Sequence, residues 1–442
     1  MRPALTGVCM LLLTALCAGR AQATPTIQSW RTDSGARVMF VRTTALPIID
    51  VRLTFDAGSA RDGDHAGLAT LTNGLLLEGT ERMDAGEIAR RFEQYGARVS
   101  NDSARDMATV SVRSLAATDK LDPVVAHFAD VLAHPSFPKA AVERVRKQML
   151  VSLREDRQSP SALADRAFAR AVFGDHPYAS PPDGTVHSVR ALERAEVVGF
   201  HDRYYVARNA VVAIVGDVTR DQAESIAARI TGGLVGGKHA PALPPVKPLD
   251  NARTVRIPFD SAQTHVLMGE PSVSRSSPDY FPLYVANHVL GGNGLVSILS
   301  GQMREKRGLS YSTYSTVAPA AAGGRFEVGT QVRNAKLDEA LDVLKGTITE
   351  FHDDGPTAAQ LKASKQNITG SFPLNLDSNR DLTGYIAMIG FYDLPLDYLA
   401  TFRDRIEAVS ERDATVALRR HVHPQRMVTV LVGPADVIGA KR

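Results

Sequence analysis

The sequence predicts an α+β chain of two homologous α/β layer-sandwich domains, and three observations predict it. A set of landmarks recurs at nearly one spacing through both halves of the chain. Strand-like apolar runs alternate with long amphipathic helices within each half. A stretch rich in Gly and Pro then separates the two sets.

The elements follow in chain order. Residues 49–55 alternate apolar and polar side chains, the period of a half-buried strand, and stop at Gly58. Residues 264–269 are the matching run in the second half. An apolar helix follows each, over 67–79 and 284–291, and Asn73-Gly74-Leu75-Leu76 stands 214 positions before Asn287-His288-Val289-Leu290. Lys120-Leu121-Asp122 and Lys336-Leu337-Asp338, 216 apart, each open a further helix. Over 144–157, Val145, Met149, Leu150 and Leu153 share one helix face; over 338–351, Leu341, Leu344 and Ile348 do the same. Each half closes on a continuous apolar run, 211–216 and 428–433, which suits a strand buried on both faces. Repetition of this kind means one supersecondary plan used twice. The expected division is a signal peptide at 1–23, a first domain at 24–231, a linker at 232–248 and a second domain at 249–442.

The leader rests on Arg2, an apolar run over 8–18 and the small-x-small site Ala21-Gln22-Ala23. That run is shorter than the ~20 apolar residues a spanning helix needs, and no later segment is longer. A periplasmic destination is therefore expected, with no membrane span after cleavage. Cys9 and Cys17 both fall in the leader, which leaves the mature chain without disulfides or thiolate ligands. Across the 442 residues, 44% hydrophobic and 22% charged is ordinary for a globular protein. Lys and Arg number 51 against 48 Asp and Glu, so nothing marks a nucleic-acid partner.

Several short pieces, in this order, resemble the pitrilysin-like or insulinase metallopeptidases: Ala57-Gly58-Ser59, Gly67-Leu68-Ala69, Glu78-Gly79-Thr80, His176-Pro177-Tyr178, residues 204–210 and Val215-Gly216-Asp217. Asn287 to Gly292 and residues 304–311 are similar to that family's second-domain signature. The resemblance covers essentially the whole mature chain and implies the family's fold, in which one such chain is half of a clam-shell chamber. Active members carry H-x-x-E-H on a helix, two zinc-binding His flanking a Glu that activates water, and a third ligand on a later helix. Here the five positions read Thr70-Leu71-Thr72-Asn73-Gly74, and the third-ligand place falls at Leu150 or Val151. Thr70, Asn73, Gly74 and Val151 supply neither ligands nor a general base, so no catalytic residue and no metal is expected in this chain. His421 and His423 read as a solvated loop pair, His65 as a surface residue and His176 as part of a loop.

The second half keeps the family's Arg/Tyr pair at Arg304 and Tyr311. The resemblance implies that these reach across a closed chamber, hold a substrate backbone and donate to a developing oxyanion. It also implies that a peptide adds as a strand along a sheet edge, expected here near residues 53–58. In some small relatives one chain holds the zinc motif and its partner the Arg/Tyr pair. The resemblance therefore implies a non-catalytic subunit, with zinc in a homologous partner (a heterodimer or heterotetramer) and a peptide or unfolded protein as substrate. The alternatives are a stand-alone peptide-binding or chaperone-like protein, or a purely structural subunit whose Arg/Tyr pair is vestigial.

Overall fold

The computed structural model describes residues 25–439, so the expected signal peptide lies outside the described residues. Two mixed sheets organise the chain. The first has six strands: β1 (Gln28–Arg31), β2 (Arg37–Arg42), β3 (Ile48–Phe55), β4 (Arg98–Ser103), β5 (Ala108–Leu115) and β6 (Ala210–Gly216), in the order β1-β2-β6-β3-β5-β4. The second has five: β7 (Arg253–Pro258), β8 (Gln263–Ser272), β9 (Ser310–Ala318), β10 (Gly324–Arg333) and β11 (Val428–Gly433), in the order β7-β11-β8-β10-β9. The final strand of each half enters the sheet interior, pairing parallel on one side and antiparallel on the other. The continuous apolar runs have this cause: β6 and β11 are buried along their whole length.

Side-chain alternation distributes each strand between two cores. In β2 and β6, Val38, Phe40, Val212 and Ile214 face the helices of their own half. Met39, Val41, Val211 and Val215 face a core that contains Leu382, Ile386 and Ala387 from the second half. The helix Asn379–Phe391 lies on β2, β3 and β6, while the helix Pro160–Phe173 of the first half lies on β8 and β11. Each half thus lends one helix to the other's sheet. Both lent helices begin with a serine N-cap, Ser159 and Ser378.

Close approach at these seams requires glycine. A Cβ on Gly269 would stand 2.0 Å from the Phe326 carbonyl oxygen and 2.8 Å from the Phe168 ring, and one on Gly390 would stand 2.6 Å from Val211. Phe168 is fully buried in a cluster with Val428, Val430 and Val432. Burial of a side chain that size contributes about 2–3 kcal/mol.

Two sequence expectations need revision. The first apolar helix is shorter than 67–79, running Leu68–Leu75 from a left-handed Gly67. Its counterpart starts earlier, at Tyr280–Asn287, and passes into a π-turn over His288–Gly292. The Gly- and Pro-rich segment is hydrogen-bonded to both halves. Arg61 Nη1 donates to the Pro241 carbonyl at 2.7 Å, His176 Nε2 meets the Pro244 carbonyl at 2.8 Å, and Val246 N donates to Ala322 O at 3.0 Å.

Candidate functional site

The helix Leu68–Leu75 carries the five motif positions. Asp62 holds its first turn: Oδ2 accepts from Gly67 N at 2.8 Å and Oδ1 from Ala69 N at 2.7 Å. That carboxyl is buried, and burial pushes its pKa up to about 7 against the lowering effect of the two N–H groups. Thr70 donates Oγ1 to the Pro182 carbonyl at 2.8 Å, so its hydroxyl is committed to the loop above it. Asn73 is buried and donates Nδ2 to Thr109 O and to the Tyr205 hydroxyl, both at 3.3 Å, while its own carbonyl accepts from Asn101 Nδ2 at 2.6 Å. Asn287 repeats this role in the second half, donating Nδ2 to Ser315 O at 3.3 Å. The two equivalent asparagines are helix-to-sheet staples.

The helix Lys139–Asp156 packs on this one, and a Cβ at Gly74 would meet Val145 at 3.5 Å, ordinary apolar contact. Leu150 is half-buried and Val151 is 49% exposed on the same helix. A zinc ion needs three or four convergent N, O or S ligands. A hydroxyl already engaged, an amide, a glycine and an exposed valine do not meet that need. Among the described residues no group of three His, Cys, Asp or Glu side chains is arranged to hold a metal. Zinc chemistry does not fit these residues.

Nor is the pair His421 and His423 a solvated one. His421 Nε2 lies 2.8 Å from Asp279 Oδ2, and His423 Nδ1 lies 2.9 Å from Glu270 Oε2 in a largely buried pair. They anchor the chain before β11. His65 pairs with Glu196 at 2.8 Å on the surface, and His176 caps the short turn Pro177–Ala179.

The Arg/Tyr positions look quite different. Arg304 stands in the π-turn Gly301–Glu305 and Tyr311 near the start of β9. The Arg304 guanidinium carbon lies 5.0 Å from the Tyr311 ring centroid. Tyr311 is 81% exposed, the most exposed of the large hydrophobic side chains among the described residues. It is no packed sheet aromatic. Beneath it a cavity of 360 Å³ opens between β8, β9, β10 and the lent helix Pro160–Phe173, lined by Asp165, His265, Tyr311 and Tyr314. Tyr314 donates its hydroxyl to Glu327 Oε1 at 3.1 Å, and Arg325 Nε stands 3.0 Å from Glu327 Oε2. Burial raises the carboxyls of Asp165 and Glu327 and lowers the His265 imidazole.

One sequence expectation fails here. The strand ending near residues 53–58 is β3, bonded along its length to β5 on one side and β6 on the other, so it has no edge to offer. The free edge nearest Asn73 is β4, whose Asn101 touches the motif helix.

Comparison with known proteins bears on what this geometry is for. Residues 37–185 match the family described as Insulinase (Peptidase family M16), and residues 191–368 match the Peptidase M16 inactive domain. A solved structure, the peptidase M16 inactive domain from Pseudomonas fluorescens, is 36% identical, with a TM-score of 0.89 over 92% of this chain and 98% of that one. The chain belongs to peptidase family M16. Within this family it is a degenerate member, since the motif positions hold no metal ligand. Among curated relatives, a protein named as a zinc protease of Mycobacterium leprae is 27% identical over 90% of both chains. The non-peptidase homolog YmxG of Helicobacter pylori is 25% identical over 89% of this chain and 91% of its own. A protease structure from Helicobacter pylori, at 20% identity and a TM-score of 0.84, shares the fold. No helix among the described residues is long and apolar enough to cross a membrane.

Sequence reasoning missed the polar hub between the halves. Asp106 is buried in the β4–β5 turn and accepts the Tyr178 hydroxyl, the Tyr392 hydroxyl at 3.0 Å and Ala321 N at 2.9 Å. Tyr178 stands in the His-Pro-Tyr motif, but the partners of Asp106 come from three distant segments.

Proposed function

We propose that this chain is the non-catalytic subunit of a periplasmic M16 metallopeptidase, completing the peptide-binding chamber of a homologous partner that carries the zinc. One observation supports this above the others. A chain whose own motif cannot hold a metal keeps a tyrosine 81% exposed, with an arginine stacked on its ring. Exposing an aromatic to that extent gains nothing in folding; it costs nothing when the ring is to meet another surface.

In this reading the partner supplies the metal chemistry. The planar guanidinium of Arg304 orients a backbone carbonyl of the bound peptide through its fixed fork of donors. The Tyr311 hydroxyl donates to the same oxygen as negative charge develops on it. The β4 edge next to the motif helix offers unpaired backbone groups to an extended peptide, which gives affinity with little sequence preference. Cleavage of the leader before residue 24 would deliver the mature chain to the periplasm.

The test is reconstitution with a zinc-bearing exported homologue. The mature chain alone should not cleave peptides and the mixture should, with turnover falling in Arg304→Ala and Tyr311→Phe while the complex still forms. Unchanged turnover in both variants would remove the role assigned to the pair.

A further inference from the structure

A second cavity, of 640 Å³, lies where the other lent helix meets the first sheet. Its walls are Arg52 on β3, Arg275 before the helix Tyr280–Asn287, Arg380, Asp381, Gly384, Tyr385 and Met388 on the helix Asn379–Phe391, and the turn at Leu374 and Asn375. It occupies the place in the first half that the Tyr311 cavity occupies in the second: between a sheet face and the first turns of a serine-capped exchanged helix.

The charge, however, is reversed. The cavity beside Tyr311 holds Asp165 with Glu327 next to it, whereas this one holds three guanidiniums against the single carboxylate of Asp381. The architecture repeats and the charge does not, so the fold does not dictate the charge. The arginines are also under-used. Arg52 donates Nε to Ser111 Oγ at 3.1 Å, and Arg275 donates Nη1 to the Tyr280 hydroxyl at 3.0 Å. The Arg275 Nε is buried with no acceptor. Among the described residues none of the three forms an ion pair. Asp50 accepts both arms of Arg113 at 2.9 Å and Asp381 in the cavity wall accepts the Ser378 hydroxyl at 2.5 Å, while Asp102 is near enough to Arg52 to favour its charge. Burial does most to lower the Arg52 pKa, Asp102 and Asp50 raise it, and the like charge of Arg380 lowers it further.

Five guanidinium donors per arginine, arranged in forks, match a carboxylate in pairs. Leu374, Tyr385 and Met388 add apolar and aromatic surface beside the polar Asn375, and the Tyr280 ring lies 4.6 Å from the Arg275 guanidinium. A bare inorganic anion has no use for that surface. The methylene stem of a glutamate side chain does.

We infer that this cavity binds the carboxylates of an acidic polypeptide segment. The choice of a polypeptide rests on the proposed peptide-binding role; the choice of carboxylate rests on the cavity alone. The site lies on a face of the first sheet opposite the motif helix, so it would select or hold a substrate away from the bond that is cut.

The test uses the isolated mature chain, without partner or turnover, so its failure would leave the role of Arg304 and Tyr311 standing. Binding of a blocked hexaglutamate peptide is measured by calorimetry at low salt, against blocked hexaglutamine and against inorganic phosphate. Hexaglutamate should bind, hexaglutamine should not, and phosphate should compete poorly. Arg380 is exposed, so Arg380→Glu should fold normally and weaken hexaglutamate binding by roughly tenfold or more, the effect of losing a charge-assisted hydrogen bond. Arg52→Gln should act in the same direction. Equal binding of the two peptides, unaltered binding in Arg380→Glu, or phosphate binding without peptide binding would each overturn the assignment.

Discussion

The carboxylate of Asp106 in the first sheet accepts the hydroxyl of Tyr392, 286 residues later at the end of the lent helix, at 3.0 Å. The same carboxylate holds Tyr178 and the backbone of the β9–β10 turn. Four segments from both halves therefore meet at one buried acid. Burial and the neighbouring Asp106 charge raise the pKa of both tyrosines, which stay protonated donors at any physiological pH.

Removing this acid should cost more than removing one of its donors. Asp106→Ala orphans two hydroxyls and an N–H in a buried site, and a loss of about 3 kcal/mol or more is expected. Tyr392→Phe, which loses one hydrogen bond, should cost about 1 kcal/mol. Urea denaturation checks both, and the alanine variant should also broaden or split the transition as the halves uncouple. Equal small effects would mean the hub does not join them.

Metal analysis of the mature chain after dialysis against zinc should find well under one zinc per chain. A single restored side chain, Asn73→Glu, should not change this, because Thr70, Gly74 and Val151 still lack ligands. It should instead destabilise the protein by about 1–3 kcal/mol, since it breaks the staple to Thr109 and buries a charge. Stoichiometric zinc in the wild-type chain would contradict the site description.

Arg304→Ala and Tyr311→Phe should separate stability from turnover. Both side chains reach outward, so each substitution should leave unfolding free energy within about 0.5–1 kcal/mol, the scale of an exposed cation–π contact. In the reconstituted enzyme, Tyr311→Phe should lower kcat about a hundredfold, the usual effect of losing one oxyanion donor. A large stability loss with unchanged kcat would reassign the pair to packing.

Asp62 should make stability depend on pH. Its carboxyl is raised to about 7 in the folded chain, against ~3.9 for an unfolded aspartate. Between those values the native state binds more protons than the unfolded one, so stability falls as pH rises from about 4 to about 7 and is level above. Asp62→Asn should remove that slope, which is at most about 1.4 kcal/mol per pH unit for one group. Parallel pH profiles in urea denaturation for the two proteins would show that Asp62 does not carry it.

Much of the fold was legible because strand and helix periods are local. The runs at 211–216 and 428–433 reappear as β6 and β11, and 338–351 sits inside the helix Leu337–Asp354. The long helix Lys139–Asp156 extends the expected one by a turn. Helix ends were less legible where glycine or a π-turn intervened, at Gly67 and at His288–Gly292. At the site, the absence of ligands could be read directly, since a missing side chain needs no tertiary context. The partners of Thr70, Asn73, His421 and His423 could not, because each lies on a segment distant in sequence.

By itself, then, the sequence determined the duplicated α+β plan and the strands β3, β6, β8 and β11, and its resemblance to the family marked the zinc motif as degenerate. The plan and these strands follow from repeats of two or 3.6 residues, which read the same in any environment. Only the tertiary structure decided which face each strand gives to which core, that β3 is interior and β4 an edge, and that each half lends a helix to the other. Pairings across more than 200 residues leave no local trace: Asp106 with Tyr392, or Arg52 with Arg380, share a site because the exchanged helix Asn379–Phe391 brings them there.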